Sequence, residues 1–172
     1  MKLLKEAGIT EAQVLRMIRG RHPKPKVIKD YITDKKLTFG IVSDTHLCSK
    51  EEKLDELHTF YEICRKIGIQ SVFHVGDIVA GNNVYRGQEN EVKVFGADAQ
   101  ARYVVRNYPK VHGIQTYFIA GNHDLVYWVR SGVDIGHFIA QREDLDYLGQ
   151  YEGNIKLGNV RVRLLHPDSG GA

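Results

Sequence analysis

Three stretches of the chain end an apolar run in residues that offer oxygen or nitrogen lone pairs. Residues 37–43 run into Asp44-Thr45-His46, residues 71–75 into Gly76-Asp77, and residues 114–120 into Gly121-Asn122-His123-Asp124. Carboxylates, imidazoles and an amide are ligand types of Mn, Fe, Zn, Co or Ni, whereas an ion such as Ca takes oxygen alone. Imidazole is also the commonest general acid or base. One such motif would be weak evidence. Three of them, each where a strand should stop, form a constellation.

For the three to meet, the apolar runs must be neighbouring strands of one sheet. Residues 50–67 carry Leu54, Leu57, Tyr61, Cys64 and Ile67 at three-four spacing, which predicts one helix face, and Gly68 supplies the stop. Strand, crossover helix and strand of this length imply parallel pairing with a right-handed connection. Open α/β sheets bind their ligands at the carboxyl ends of such strands, which places the three polar residues after Gly121 on a loop there. Between Asp77 and Asn122 lie 44 residues, more than one helix needs. Residues 81–88 have loop composition, and residues 95–108 predict the crossover helix. A long polar loop after a ligand-bearing strand end is more often functional than idle, so Asn82, Tyr85 and Arg86 are candidate substrate contacts; a solvated loop is the alternative. Farther on, the pattern predicts a helix over 133–142 and short strands over 145–148 and 154–157. Gly158-Asn159 then signals a hairpin turn into an alternating strand that ends at His166.

In these motifs and their order the chain resembles the calcineurin-like metallophosphoesterases. This two-metal superfamily includes protein phosphatases, purple acid phosphatases, cyclic-nucleotide phosphodiesterases and DNA-repair nucleases. The resemblance runs from about residue 37 to residue 166 and implies an α/β fold, the calcineurin-like α/β/β/α sandwich of mixed sheets flanked by helices. It also implies two divalent metal ions about 3.5–4 Å apart, Mn foremost, with Fe, Zn, Ni, Co or Mg as alternatives. By the family's pattern Asp77 is shared by both ions, Asp44 and His46 hold one, and Asn122 and His166 hold the other. His123 then protonates the leaving oxygen or stabilises the transition state, oriented by Asp124. The implied activity is hydrolysis of a phosphate ester by metal-activated water, as a phosphodiesterase or nuclease. A phosphomonoesterase, or a nucleic-acid-binding module on an inactive phosphoesterase scaffold, are the alternatives. The bland competitor has Asp44 and Asp77 capping helices and the histidines scattered in the core; three motifs in family order argue against it. His74, inside an apolar strand, reads as a buried core histidine.

Two departures qualify the resemblance. The family usually has His-Gly where this chain has His166-Pro167, and it closes its site with a later Gly-His-x-His that does not occur before Ala172. Gly136-His137 cannot replace it, because its partner position is Ile139. The expectation is a piece that keeps the first half of the fold, binds metal weakly and has low activity, or a site short of one protein ligand per metal.

Composition bounds the rest. A chain of 172 residues, 42% hydrophobic and 26% charged, suits one globular domain. Cys48 and Cys64 have no zinc or redox spacing and read as reduced thiols. No apolar run approaches the roughly 20 residues that span a bilayer, so no membrane partner is expected and a cytoplasmic setting is the default. Residues 1–30 hold eight Lys/Arg against three acids, a net +5, so the remainder carries −2 of the total +3. This divides the chain into a basic helical arm with a Pro/Lys linker (1–36) and a phosphoesterase domain (37–172). Thr10 and Gln13 have capping-box spacing, and a helical turn, the Gly8-Ile9 break and a helix over 10–18 followed by basic residues resemble the tail of a helix-turn-helix, which would place Arg16, Arg19 and Arg21 near phosphates. DNA or RNA is therefore a candidate partner beside the phosphate-ester substrate; a short helix packed on the main domain is the alternative.

Overall fold

The computed structural model describes residues 26–28 and 37–167. The expected arm helices and their DNA or RNA contacts lie outside the described residues. Strand β1 is Lys26–Ile28, β2 Gly40–Val42 and β3 Ser71–Val75; helix α1, Leu54–Lys66, joins β2 to β3. Helix α2 (Ala97–Asn107) precedes β4 (Gln115–Ala120), and α3 (Asn122–Ser131) and α4 (Ile135–Ile139) precede β5 (Leu145–Gln150). Strands β6 (Glu152–Leu157) and β7 (Val160–Leu165) complete the order.

Two sheets result. The first has order β2-β3-β4-β5 with every pair parallel. The second has order β1-β6-β7, parallel then antiparallel. β1 lies inside the stretch assigned to the arm and linker, yet its backbone pairs with β6, Lys26 opposite Ile155.

Strand alternation separates two cores. Val72 and Phe118 face the helices and pack with Leu57, Tyr61, Val104, Tyr127 and Ile139. Phe73, Tyr117 and Ile119, one residue out of step, pack against Ile155, Leu157 and Leu164 of the second sheet. The described layers are therefore helix, sheet, sheet, as an α/β/β/α sandwich requires. Within the helix-side core Tyr61 bonds the hydroxyls of Tyr108 (2.9 Å) and Thr116 (2.7 Å), which satisfies these three buried hydroxyls.

Helix α1 starts at Leu54, four residues later than its periodicity suggests. The intervening backbone is used elsewhere: the Lys50 N–H donates to the Glu91 carbonyl, and the Lys93 N–H donates to that of Cys48 (both 2.8 Å). Its apolar face ends early as well, because Ile67 is 63% exposed. The larger difference follows Gly121, where the expected loop is instead the first turn of α3. The helix predicted over 133–142 shrinks to the five residues of α4.

Phe118 is 1% exposed in the middle of the central strand. Phe118→Ala should lower the unfolding free energy by about 3–5 kcal/mol in urea titration. A loss below about 1 kcal/mol would mean that the helix-side core is not packed as described.

Candidate metal centre

The sheet's carboxyl edge is built by two loops that run side by side. After β2 and β3, Asp44 N–H donates to the Gly76 carbonyl and His46 N–H to that of Asp77 (both 3.1 Å). Leu47 then donates to Ile78 (2.8 Å), and Ala80 donates back to Leu47 (2.8 Å). This pairing holds Asp44, His46, Cys48 and Asp77 at φ of 54°, 40°, 78° and 54°, a left-handed region that side chains other than glycine seldom occupy. Simple strand alternation does not aim Asp44 and His46 together; these successive turns do. Thr45 pins the turn from behind. Its hydroxyl donates to the Ile78 carbonyl (3.1 Å) and meets His74 Nε2 at 2.9 Å. His74 is fully buried, and burial pushes its pKa down to about 3, as suits a neutral core histidine.

Asp77 is the centre of the arrangement and is 3% exposed. Its Oδ1 accepts the His123 N–H at the start of α3 (2.9 Å). Its Oδ2 lies 3.4 Å from His166 Nε2 and 3.8 Å from His46 Nε2. Two groups of potential ligand atoms share it: Asp44, Asp77 and His166, and His46, Asp77 and His123. Asn122 joins the first group, its Oδ1 3.2 Å from His166 Nε2.

His166 arrives from the second sheet. Its N–H donates to the Tyr151 carbonyl, and Tyr151 N–H donates to that of Ala120 (both 2.8 Å), so the end of β7 is tied to the end of β4. The His166 Nδ1 meets the Val75 carbonyl at 2.7 Å, which fixes the proton there. In the neutral ring Nε2 is then a bare lone pair, and it faces Asp77 Oδ2 and Asn122 Oδ1, which are also acceptors. An imidazole nitrogen, a carboxylate oxygen and an amide oxygen converging in this way are a donor set that a cation satisfies. The residues present therefore fit a divalent metal. His46 agrees with this: burial, then the neighbouring His123, hold its pKa below the ordinary histidine value, favouring the neutral form that ligates.

The motif glycines have a steric reason. A Cβ on Gly121 would stand 2.2 Å from Asp77 Oδ1, and one on Gly76 would stand 2.4 Å from His166 Nδ1. Both distances are far inside contact, so the close approach of these ligands requires bare backbone.

Asp124 departs from its expected role of orienting His123. Its carboxylate accepts N–H groups of Gly121 (2.8 Å), Val79 (2.9 Å) and Ile78 (3.2 Å), bracing the two loops at the helix start. Burial and the nearby Asp77 push its pKa up to about 7, against the pull of those three donors. The His123 ring is instead oriented by the Ala80 carbonyl, 2.7 Å from Nδ1. No side-chain signal in the sequence marks that carbonyl, or Val75's behind His166. Once Nδ1 carries its proton toward Ala80, Nε2 is the nitrogen free to take or give one.

The three loop candidates separate. Tyr85 lines a cavity of about 720 Å³ together with Asp44, His46 and His123. Asn82 is turned inward, its Oδ1 accepting from Gly96 N–H (2.7 Å) and the Tyr127 hydroxyl (2.5 Å). Arg86 is exposed and does not line that cavity.

Two candidate ligand groups thus share one carboxylate at the carboxyl edge of a parallel sheet. The chain belongs to the calcineurin-like phosphoesterase family, whose model matches residues 37–169. It is also similar to the DNA polymerase II small subunits of two strains of Halobacterium salinarum. Each is 27% identical over 106 residues, covering 59% of this chain and 21% of the relative. The chain thus spans about a fifth of the length of the curated relatives it matches. Among the described residues no helix is long and apolar enough to cross a membrane.

Gly121→Ala should weaken Mn2+ binding at least tenfold in calorimetric titration while the circular dichroism stays native. Unchanged affinity would show that Asp77 does not need this approach. Cys48 is buried and its pKa is pushed up to about 12 by burial and by Glu52. Its thiol should therefore resist a thiol-titrating disulfide reagent until the protein unfolds; rapid reaction in the native state would contradict its placement.

Proposed function

We propose that this chain is a metal-dependent phosphoesterase that hydrolyses a phosphodiester in nucleic acid, using two divalent metal ions, Mn foremost. The observation that carries the reading is Asp77, whose carboxylate is common to two converging ligand groups. Asp44, His46, Asp77, Asn122 and His166 would hold the ions. Bound there, they would supply Lewis-acid chemistry, lowering the pKa of a water and neutralising charge on the phosphoryl oxygens.

The chain's own residues do the rest. His123 holds its Nδ1 proton on the Ala80 carbonyl, which aims Nε2 at the cavity, where a protonated ring would deliver a proton to the leaving oxygen. General acid catalysis of this kind contributes about 10² to 10⁴ in rate. Asp124 acts one step back, fixing the loop backbones and the helix start that carry Asp77, Asn122 and His123. The first turn of α3 adds an N–H to Asp77, so the carboxylate stays in place whether or not a cation is bound.

Support for nucleic acid rather than a phosphomonoester comes from the named relatives, which are DNA polymerase subunits, and from the net +5 of residues 1–30. A polymerase subunit also raises the second reading, a nucleic-acid-binding module on an inactive scaffold. Against it stands His123, whose ring is fixed by the Ala80 carbonyl within one of those groups, an arrangement that a scaffold does not need.

The test is hydrolysis of bis(p-nitrophenyl) phosphate and of p-nitrophenyl phosphate by the natural full-length protein. Activity on the diester should require Mn2+, vanish with chelator and return on adding metal. Asp77→Asn should abolish it, and His123→Ala should lower kcat by about 10² to 10⁴. Full activity in both variants would remove the mechanism, and activity on the monoester alone would turn the reading to a phosphomonoesterase.

A further inference from the structure

The cavity beside the metal centre has more on its walls than ligands, and the loop over residues 80–96 is built to present one side chain to it. Tyr85 is 48% exposed, and its ring centroid lies 6.2 Å from that of His123 at an interplanar angle of 63°. Its hydroxyl donates to Glu91, so the tyrosine does not offer a proton to the reacting phosphate. What it offers is a half-exposed aromatic ring on the cavity wall.

The loop that carries it is unusually well anchored for a surface segment. Gln88, 2% exposed, accepts the Val84 N–H (2.8 Å) and donates to the Ala80 carbonyl (2.6 Å). Gln100, fully buried, accepts the Gly81 N–H (3.2 Å) and donates to the carbonyls of Gly81 (3.1 Å) and Val94 (2.8 Å). Arg130 of α3 donates to the carbonyls of Asn82 (3.0 Å) and Asn83. The residues on both sides of Tyr85 are thus tied to β3's loop, to α2 and to α3. Little ordering remains to be done when a ligand meets the ring, which is how preorganised contacts gain affinity.

The cavity's charge limits what can meet it. Away from the metal ligands its walls carry Glu51, Glu52, Glu56 and Glu91, with Lys53 the one lysine or arginine among the described residues. Val42, Leu57 and Phe60 supply apolar surface. Glu52 is engaged by Lys93 (2.7 Å) and by the Cys48 N–H (2.7 Å), and the Tyr85 hydroxyl is on Glu91, which leaves Glu51 and Glu56 to face an occupant. A second phosphate would be repelled there. An uncharged, flat heteroaromatic ring with N–H donors would not.

We infer that Tyr85 is a specificity-determining residue, the stacking platform for a nucleobase that flanks the phosphodiester being hydrolysed. The inference rests on the phosphodiesterase reading and sharpens it, since stacking reads the presence of a base rather than its identity.

The experiment uses the full-length protein with Mn2+ and the dinucleotide thymidylyl-thymidine, which has a single scissile bond. Two analogues have one or the other base replaced by hydrogen. The wild type should show a KM about tenfold or more higher for at least one analogue than for the parent. Tyr85→Phe, which keeps the ring and loses the Glu91 contact, should retain that difference. In Tyr85→Ala and in Tyr85→Leu, which keeps bulk without a π-face, the difference should collapse. Hydrolysis of all three substrates with equal KM, or an undiminished difference in the Ala and Leu variants, would overturn the stacking role and leave the phosphodiesterase reading standing. Hydrolysis of p-nitrophenyl phosphate with none of the dinucleotide would overturn both.

Discussion

The structure depends on where one carboxylate is held. Asp77 sits on a left-handed turn after β3, nearly closed off from solvent, with one oxygen on the N–H of His123 and the other facing two histidines. A buried carboxylate placed this way is costly unless cations or donors satisfy it. The first turn of α3 meets half of that need, where the helix dipole also favours negative charge. The remaining oxygen lies 3.4 Å from His166 and 3.8 Å from His46, one histidine from each ligand group.

The neighbouring features follow from that placement. Gly121 is bare so that β4 can end against Asp77, and Gly76 is bare so that the ring of His166 can lie over the turn. Asp124 holds the Asp77 loop by its Ile78 and Val79 amides while closing the start of α3 through Gly121. The second sheet contributes beyond its packing on Phe73 and Ile119. Through Tyr151 it brings His166 to the first sheet's edge, so the two sheets meet chemically as well as sterically.

Much of this was legible in the residues. The three strand-end motifs fell on neighbouring parallel strands, the hairpin turn at Gly158-Asn159 was placed correctly, and His74 proved a core histidine. The first turn of α3 was not legible, because Asn122, His123 and Asp124 stand out as three polar, ligand-type side chains at a strand end, which is loop chemistry. Its helical signals were local and easily passed over: an acid at the third position and Gly132 at the end, in the left-handed conformation. The partner of His123 was hidden for a different reason. A backbone carbonyl such as Ala80's carries no side-chain signature, so a carboxylate in the motif was credited with its work. The split among Asn82, Tyr85 and Arg86 likewise depends on how the loop folds back on Gln88 and Gln100, contacts that composition does not encode.

The central claim is that Asp77 joins two cation sites. Its most direct measurement is the anomalous-difference density of crystals soaked in Mn2+. Two peaks should both contact the Asp77 carboxylate, one also contacting His46 and the other Asn122 or His166. A single peak that does not touch Asp77, or none at all at saturating metal, would contradict it.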